Sequence, residues 1–161
     1  MAMPSHLSLT GNTQGKIEGS CDIAGREGTI LVYSMEHLIN IPRDTHTGLP
    51  TGKRIHGALK IVKEIDKSSP KLFQALCSGE QFSEVLLDYY RISPQGAEES
   101  YYTVKLQNAI IVGIRAWFPE TLVKNNEPYK HMEDVSFSYE KIIWTWVPDG
   151  IEAEDSWSKP K

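Results

Sequence analysis

Apolar residues recur at every second position through most of this chain, and the places where the rhythm slips are as informative as the rhythm. Residues 6–9 alternate briefly before Gly11 and Asn12. The run Ile30-Leu31-Val32-Tyr33 is β-branched and aromatic, and it predicts a strand within 29–41, bounded by Gly28 and Pro42. From 55 to 65, Ile55, Leu59, Ile61 and Ile65 hold odd positions while His56, Lys60 and Glu64 hold even ones. That period of two predicts a strand with one face in a core. Further strands are expected over 82–93, 101–106 and 110–118, with a turn at Ser93-Pro94-Gln95-Gly96 and a stop at Pro119. Residues 120–131 read as a polar connection. Val135, Phe137 and Tyr139 then occupy odd positions, but Ile142, Trp144 and Trp146 occupy even ones. A one-residue change of phase is what a β-bulge or a bend between sheets produces.

One segment has helical punctuation. Ser69 suits an N-cap, Pro70 a first helical position, and Gly79 a left-handed C-terminal cap, while Leu72, Phe73 and Leu76 form a short apolar stripe. The fold expected is mainly β: a closed β-barrel or two-sheet sandwich with one flanking short α-helix at about 68–78 and an extended loop at about 42–54. Residues 150–161 are polar enough to be a loosely held tail.

Composition narrows the function classes. A chain of 161 residues has room for one domain, 1–161, with a real core. A net charge of −4 argues against a nucleic-acid surface. The first residues, MAMPSHLSLTG, have no basic and apolar regions of a signal peptide, so none is expected. No apolar run approaches the ~20 residues of a membrane-spanning helix, so no membrane insertion is expected. Cys21 and Cys77 have neither metal nor redox spacing.

The candidate chemistry is thin. Gly48-Leu49-Pro50-Thr51-Gly52-Lys53-Arg54 resembles a phosphate loop, but three residues separate the glycines where four are required, and Arg54 stands in place of the metal-binding hydroxyl. A strand pattern follows it, whereas a phosphate loop opens a helix. Residues 42–54 therefore read as a surface or partner-binding excursion. The five histidines are too dispersed for local ligand spacing, and solvated or singly bonded roles are expected for them. The carboxylate groups Glu98-Glu99, Glu133-Asp134 and Glu152/Glu154/Asp155 lie near turns or the tail and read as solvated charge. Lys60, Lys63, Lys67 and Lys71 cross the strand-helix boundary and make no continuous basic stripe. Trp144 and Trp146 are open to two readings, an aromatic ligand platform or a core or interface pair. No nucleophile motif is present, and no catalytic residue, cofactor or metal is expected. Two readings stay open on the residues alone: a monomeric carbohydrate- or ligand-binding β-module, and a metal-dependent barrel enzyme.

The segment IVKEIDKSSPKL at 61–72, continuing to Ala75 and Gly79, resembles the strand-to-helix junction of the haemolysin-coregulated proteins, which form the tube of the bacterial type VI secretion system. GREGTI at 25–30, the Thr-Gly loop with Arg54-Ile55-His56, YEKIIWTW at 139–146 and Asp155-Ser156-Trp157 are similar to family segments in the same order. The resemblance spans nearly the whole chain. It implies a barrel subunit that forms homohexameric rings. The rings stack inside a contractile sheath, with a VgrG-type spike protein at the tip and small effector proteins in the lumen. Assembly would be cytoplasmic and export would need no cleavable signal. The resemblance further implies that Arg43, Asp44, Thr45, Thr47, Gly48, Thr51, Gly52, Lys53 and Arg54 form the ring-stacking loop. It makes Asp66, Lys67, Ser68, Ser69 and Pro70 the family motif at the strand-helix junction. No fused C-terminal toxin domain is expected, and no enzymatic activity.

Overall fold

Alternation becomes a barrel because six strands close on one another. The computed structural model describes residues 3–157. Its strands are β1 (Ser5–Gly11), β2 (Gly15–Ile17), β3 (Ile30–Glu36), β4 (Ile39–Asn40), β5 (Ile55–His56), β6 (Leu59–Glu64), β7 (Gln81–Ile92), β8 (Glu98–Trp117), β9 (Met132–Ser138), β10 (Lys141–Trp146) and β11 (Ile151–Ser156), with the helix α1 (Ser69–Ser78) between β6 and β7. Antiparallel pairing runs β1–β7–β8–β9–β6–β3 and returns to β1, so the ring has no free edge. The inward positions are the ones the alternation marks: Leu7 and Leu9, Ile30 and Val32, Leu59 and Ile61, Val85 and Leu87, Val135 and Phe137 are all buried. Each such side chain contributes about 1.5–3 kcal/mol by leaving water.

The barrel carries a flap. The first half of β8 pairs with β10, and β10 with β11, outside the closed ring. The predicted strands 101–106 and 110–118 are one strand, β8. It exchanges β10 for β9 at Asn108, whose φ of 51° is tolerated by Asn better than by most residues and turns the strand without ending it. The change of phase between Tyr139 and Ile142 is a bend, as expected: β9 belongs to the barrel wall and β10 to the flap.

Four other expectations are corrected. Residues 55–65 are not one strand. The chain breaks at Gly57-Ala58, so β5 joins β4 in a separate two-stranded sheet and β6 alone enters the barrel. Ile55 and Ile65 are in consequence half exposed, and His56 is buried. The polar tail is, over Ile151–Ser156, a paired strand. An edge strand with solvent on both faces has no apolar rhythm to reveal it; residues 158–161 lie outside the described set. Finally, Ser68, not Ser69, is the N-cap, and Phe73 is more than a third exposed. Helix α1 buries Ser69, Leu72 and Ala75, a spacing of three that stays on one face, and Phe73 lies about 100° away from Leu72. Gly79 takes the left-handed cap as expected, with φ 68°.

Candidate functional site

Residues 41–54 leave the barrel between β4 and β5 as a hairpin with its own backbone ladder. Asp44 N–H donates to Leu49 O at 2.8 Å, Gly48 N–H to Asp44 O at 2.8 Å, and Thr51 N–H to Pro42 O at 2.8 Å, with Arg43 and Pro50 bridged. Asp44 fastens the tip: its Oδ1 accepts from the N–H groups of His46 at 2.7 Å and Thr47 at 3.0 Å. The hydrogen bonds from Thr47 and then His46 hold its carboxyl below the usual carboxylate range. Gly48 supplies the turn with φ 74°. Thr45, Thr47, Thr51, Gly52 and Lys53 are exposed, and so are the apolar side chains of Ile41 and Leu49.

Arg54 behaves differently from the rest of the predicted contact set. Its guanidinium forks onto the Asp155 carboxylate through Nε and Nη2, and Nη2 also donates to Ser156 O at 2.9 Å. Beside it, His56 is buried between Asp155 and Tyr139: Nε2 lies 2.8 Å from Asp155 Oδ2 and Nδ1 lies 2.6 Å from the Tyr139 hydroxyl. His37, on the opposite limb of the hairpin root, reaches the same hydroxyl at 2.9 Å through Nε2. The edge of Trp157 closes on His56, with ring centroids 5.8 Å apart. Burial, then the Asp155 charge, raises the Tyr139 phenol well above its ordinary value, so it remains a neutral hydroxyl. Sequence reading missed His37, His56, Tyr139 and Asp155 because they come from four segments. The glycine at 57, inside an apparent strand, was the available sign that the phase would change beside His56.

The motif residues 66–70 assemble at the other end of β6. Lys63 is in phase with Leu59 and Ile61 and fully buried. Its Nζ pairs with Glu133 Oε1, donates to Glu64 O at 2.8 Å and to Ser69 Oγ at 3.2 Å, and lies 3.2 Å from Asp66 Oδ1. Ser69 Oγ donates to Glu133 Oε1 at 2.7 Å and accepts from Asp66 N–H at 3.0 Å. Asp66 in turn accepts from Ser68 N–H at 2.9 Å and Ser20 N–H at 3.2 Å. Burial works to raise the Asp66 carboxyl, but hydrogen bonds from Ser68 and the Lys63 charge outweigh it and hold the group low. Lys67 N–H binds Ser20 Oγ at 3.2 Å, and Pro70 is exposed at the helix start. The motif is thus a joint between helix and barrel.

The solvated-charge reading fails for three carboxylates. Glu133 is sealed under α1, Asp155 is held as described, and Asp134 receives Arg115, Trp117 Nε1 at 2.8 Å and Lys60. Trp144 packs partly on the core, and Trp146 is covered by Tyr101 and Arg91 at 5.8 and 5.2 Å. Both rings are thus engaged by side chains of their own chain. Among the described residues no group of three or more His, Cys, Asp or Glu is placed to hold a metal, and no helix is long and apolar enough to cross a membrane.

Known proteins match this arrangement along its length. The family described as "Type VI secretion system effector, Hcp" matches residues 6–146. The "Major exported protein" of Pseudomonas aeruginosa is 39% identical over 169 aligned residues, covering 99% of this chain and 98% of that one. The solved structure of the Hcp1 protein from the E. coli EAEC 042 pathovar superposes with a TM-score of 0.86 at 36% identity, over 97% of this chain and 99% of that one. The secreted protein Hcp3 of Pseudomonas aeruginosa gives 0.81 at 34% identity, over 98% and 100%.

Proposed function

The chain belongs to the Hcp family of the type VI secretion system, and from that premise we propose that this tube subunit works by self-assembly. Copies close into hexameric rings through one heterologous interface, and the rings stack head-to-tail through a second, weaker one. The tube forms in the cytoplasm behind a VgrG-type spike and is expelled when the sheath contracts, with small effectors in its lumen. The chain acts as one barrel domain without catalytic activity.

One observation carries the stacking role. The hairpin of residues 41–54 is ordered by its own ladder and by the Arg54–Asp155 anchor, yet Leu49 at its tip is 64% exposed and adds almost nothing to the core. An ordered segment that buries little against its own chain is suited to burial against another. Thr45, Thr47, Thr51 and Lys53 give that contact polar partners, and Arg54 sets the angle at which the hairpin leaves the barrel.

The test is a deletion of residues 49–53, followed by sedimentation velocity and negative-stain imaging. The shortened protein should keep the hexameric ring and lose stacks of rings. Loss of the ring itself would remove the hairpin from the stacking role. A monomeric full-length chain at high concentration, with no rings, would return the choice to the ligand-binding module.

A further inference from the structure

The hydrogen-bond chain at the hairpin root admits one arrangement of protons when both imidazoles are neutral. A carboxylate only accepts, so the Asp155 contact requires the hydrogen of His56 on Nε2. His56 Nδ1 is then an acceptor and takes the Tyr139 hydroxyl hydrogen. The phenol oxygen is left to accept from His37 Nε2–H. Every hydrogen has an acceptor, and both limbs of the root are tied to the barrel: His37 precedes β4 and His56 lies on β5, while Tyr139 follows β9 and Asp155 belongs to β11.

We propose that this chain is a proton-sensitive latch, which holds the hairpin root while both imidazoles are neutral and releases it when one of them takes up a proton. The consequence for copy-to-copy association rests on the stacking role proposed above; the latch itself does not.

Two routes lead to release. A proton on His56 lands on Nδ1 and turns an acceptor into a donor. Tyr139 then faces two donors, and its own hydrogen loses its acceptor at a site only 5% exposed. The attraction of Asp155 for a charged His56 is reduced because Arg54 already occupies the same carboxylate. A proton on His37 leaves its Tyr139 bond intact but places a charge beside buried His56. Burial, then repulsion from His56, hold His37 below the ordinary imidazole range, and the Gly57 backbone offsets this in part. Glu36 and Lys60 also border the surface groove that His37 lines.

The direction with pH follows. In an open root His37 titrates near its ordinary value of about 6.5, while in the closed root it titrates lower. The open state therefore binds more protons as the pH drops below about 6.5, so the latch is fully engaged above that pH and is lost as the pH falls through the lower, closed-state value.

Hydrogen exchange tests this on the whole protein, read at Gly57 N–H, which donates to Leu38 O at 2.9 Å at the root. Between about pH 7.5 and about pH 5, after correction for intrinsic exchange, its protection should fall about tenfold or more while barrel amides in β9 stay protected. Tyr139→Phe should show low protection at Gly57 already at neutral pH, with no further fall. His37→Gln keeps a donor for Tyr139 without a basic nitrogen, so it should make the fall smaller, and it guards against a Tyr139→Phe protein that does not fold. Protection at Gly57 that is flat in the wild type, or that falls equally in Tyr139→Phe, overturns the latch. Sedimentation of the same samples separates the two ideas. A working latch with pH-independent association would sink the stacking role alone, and pH-dependent association with flat Gly57 protection would sink the latch alone.

Discussion

Strand β6 has a polar cluster at each end, and the two are built from different chemistry. At its C-terminal end the ammonium of Lys63 meets Glu133 under helix α1, and both side chains are fully buried. At its N-terminal end two imidazoles share one phenol beneath the hairpin, and Asp155 beyond them is shared with Arg54. Each cluster ties a protruding element to the barrel. The helix joint is a sealed ion pair that holds no imidazole, and it is the permanent one. The hairpin joint is built on imidazoles, the side chain suited to a switch near neutral pH, and it is the conditional one. One barrel can thus hold a fixed element and an adjustable one at the two ends of a six-residue strand.

The comparison breaks most visibly at the helix end. Lys63→Met leaves Glu133 as a buried charge without its partner, and it should cost about 3–5 kcal/mol in global unfolding by denaturant. Adding Glu133→Leu should restore a large part of that loss, because two apolar side chains need no pairing. A single variant that unfolds like the wild type would show that the joint contributes nothing, and a double variant worse than the single would show that Ser69 and the backbone depend on the charges.

At the hairpin end the effect should be smaller and local. Arg54→Met removes the guanidinium that forks onto Asp155, and about 1–3 kcal/mol should be lost from hairpin protection, read by exchange at Thr51 and Gly57. Global stability should change by no more than about 0.5 kcal/mol.

The two ends also differ in how far the sequence exposed them. The barrel was legible because Leu59 and Ile61, or Val135 and Phe137, repeat at the period of a strand, and the helix because Pro70 and Gly79 mark its limits. The bend at Tyr139 was legible as a change of phase. The clusters were not, although one clue was present. Lys63 lies in phase with Leu59 and Ile61, which foretells burial, but its partner Glu133 is 70 residues away. His56 and Asp155 are 99 residues apart. A polar pair across a barrel leaves no periodic trace in either strand, so its members look like ordinary surface charge until the strands are paired. The hairpin was legible by composition, as a glycine- and threonine-rich excursion, while the anchor that orients it was not.

The smallest effect separates the two ends without touching either cluster. Gly79 caps the helix at φ 68° and Gly48 turns the hairpin tip at φ 74°, and a Cβ at either would meet open space. Alanine at each position therefore imposes the same left-handed strain, about 1–2 kcal/mol, and no steric clash. What differs is the cooperative unit that bears it. Helix α1 is sealed to the barrel through Leu72, Ala75 and the Lys63 joint, so Gly79→Ala should lower global stability by nearly the full amount, read as a shifted denaturation midpoint with an unchanged slope. The hairpin opens on its own, so Gly48→Ala should leave the midpoint in place and appear only as weaker protection at Thr51 N–H, whose bond to Pro42 O closes the hairpin ladder. Equal midpoints for the two variants, both lowered, would mean that the hairpin unfolds with the barrel. The distinction between a permanent joint and a conditional one would then have no basis in the stability of the chain.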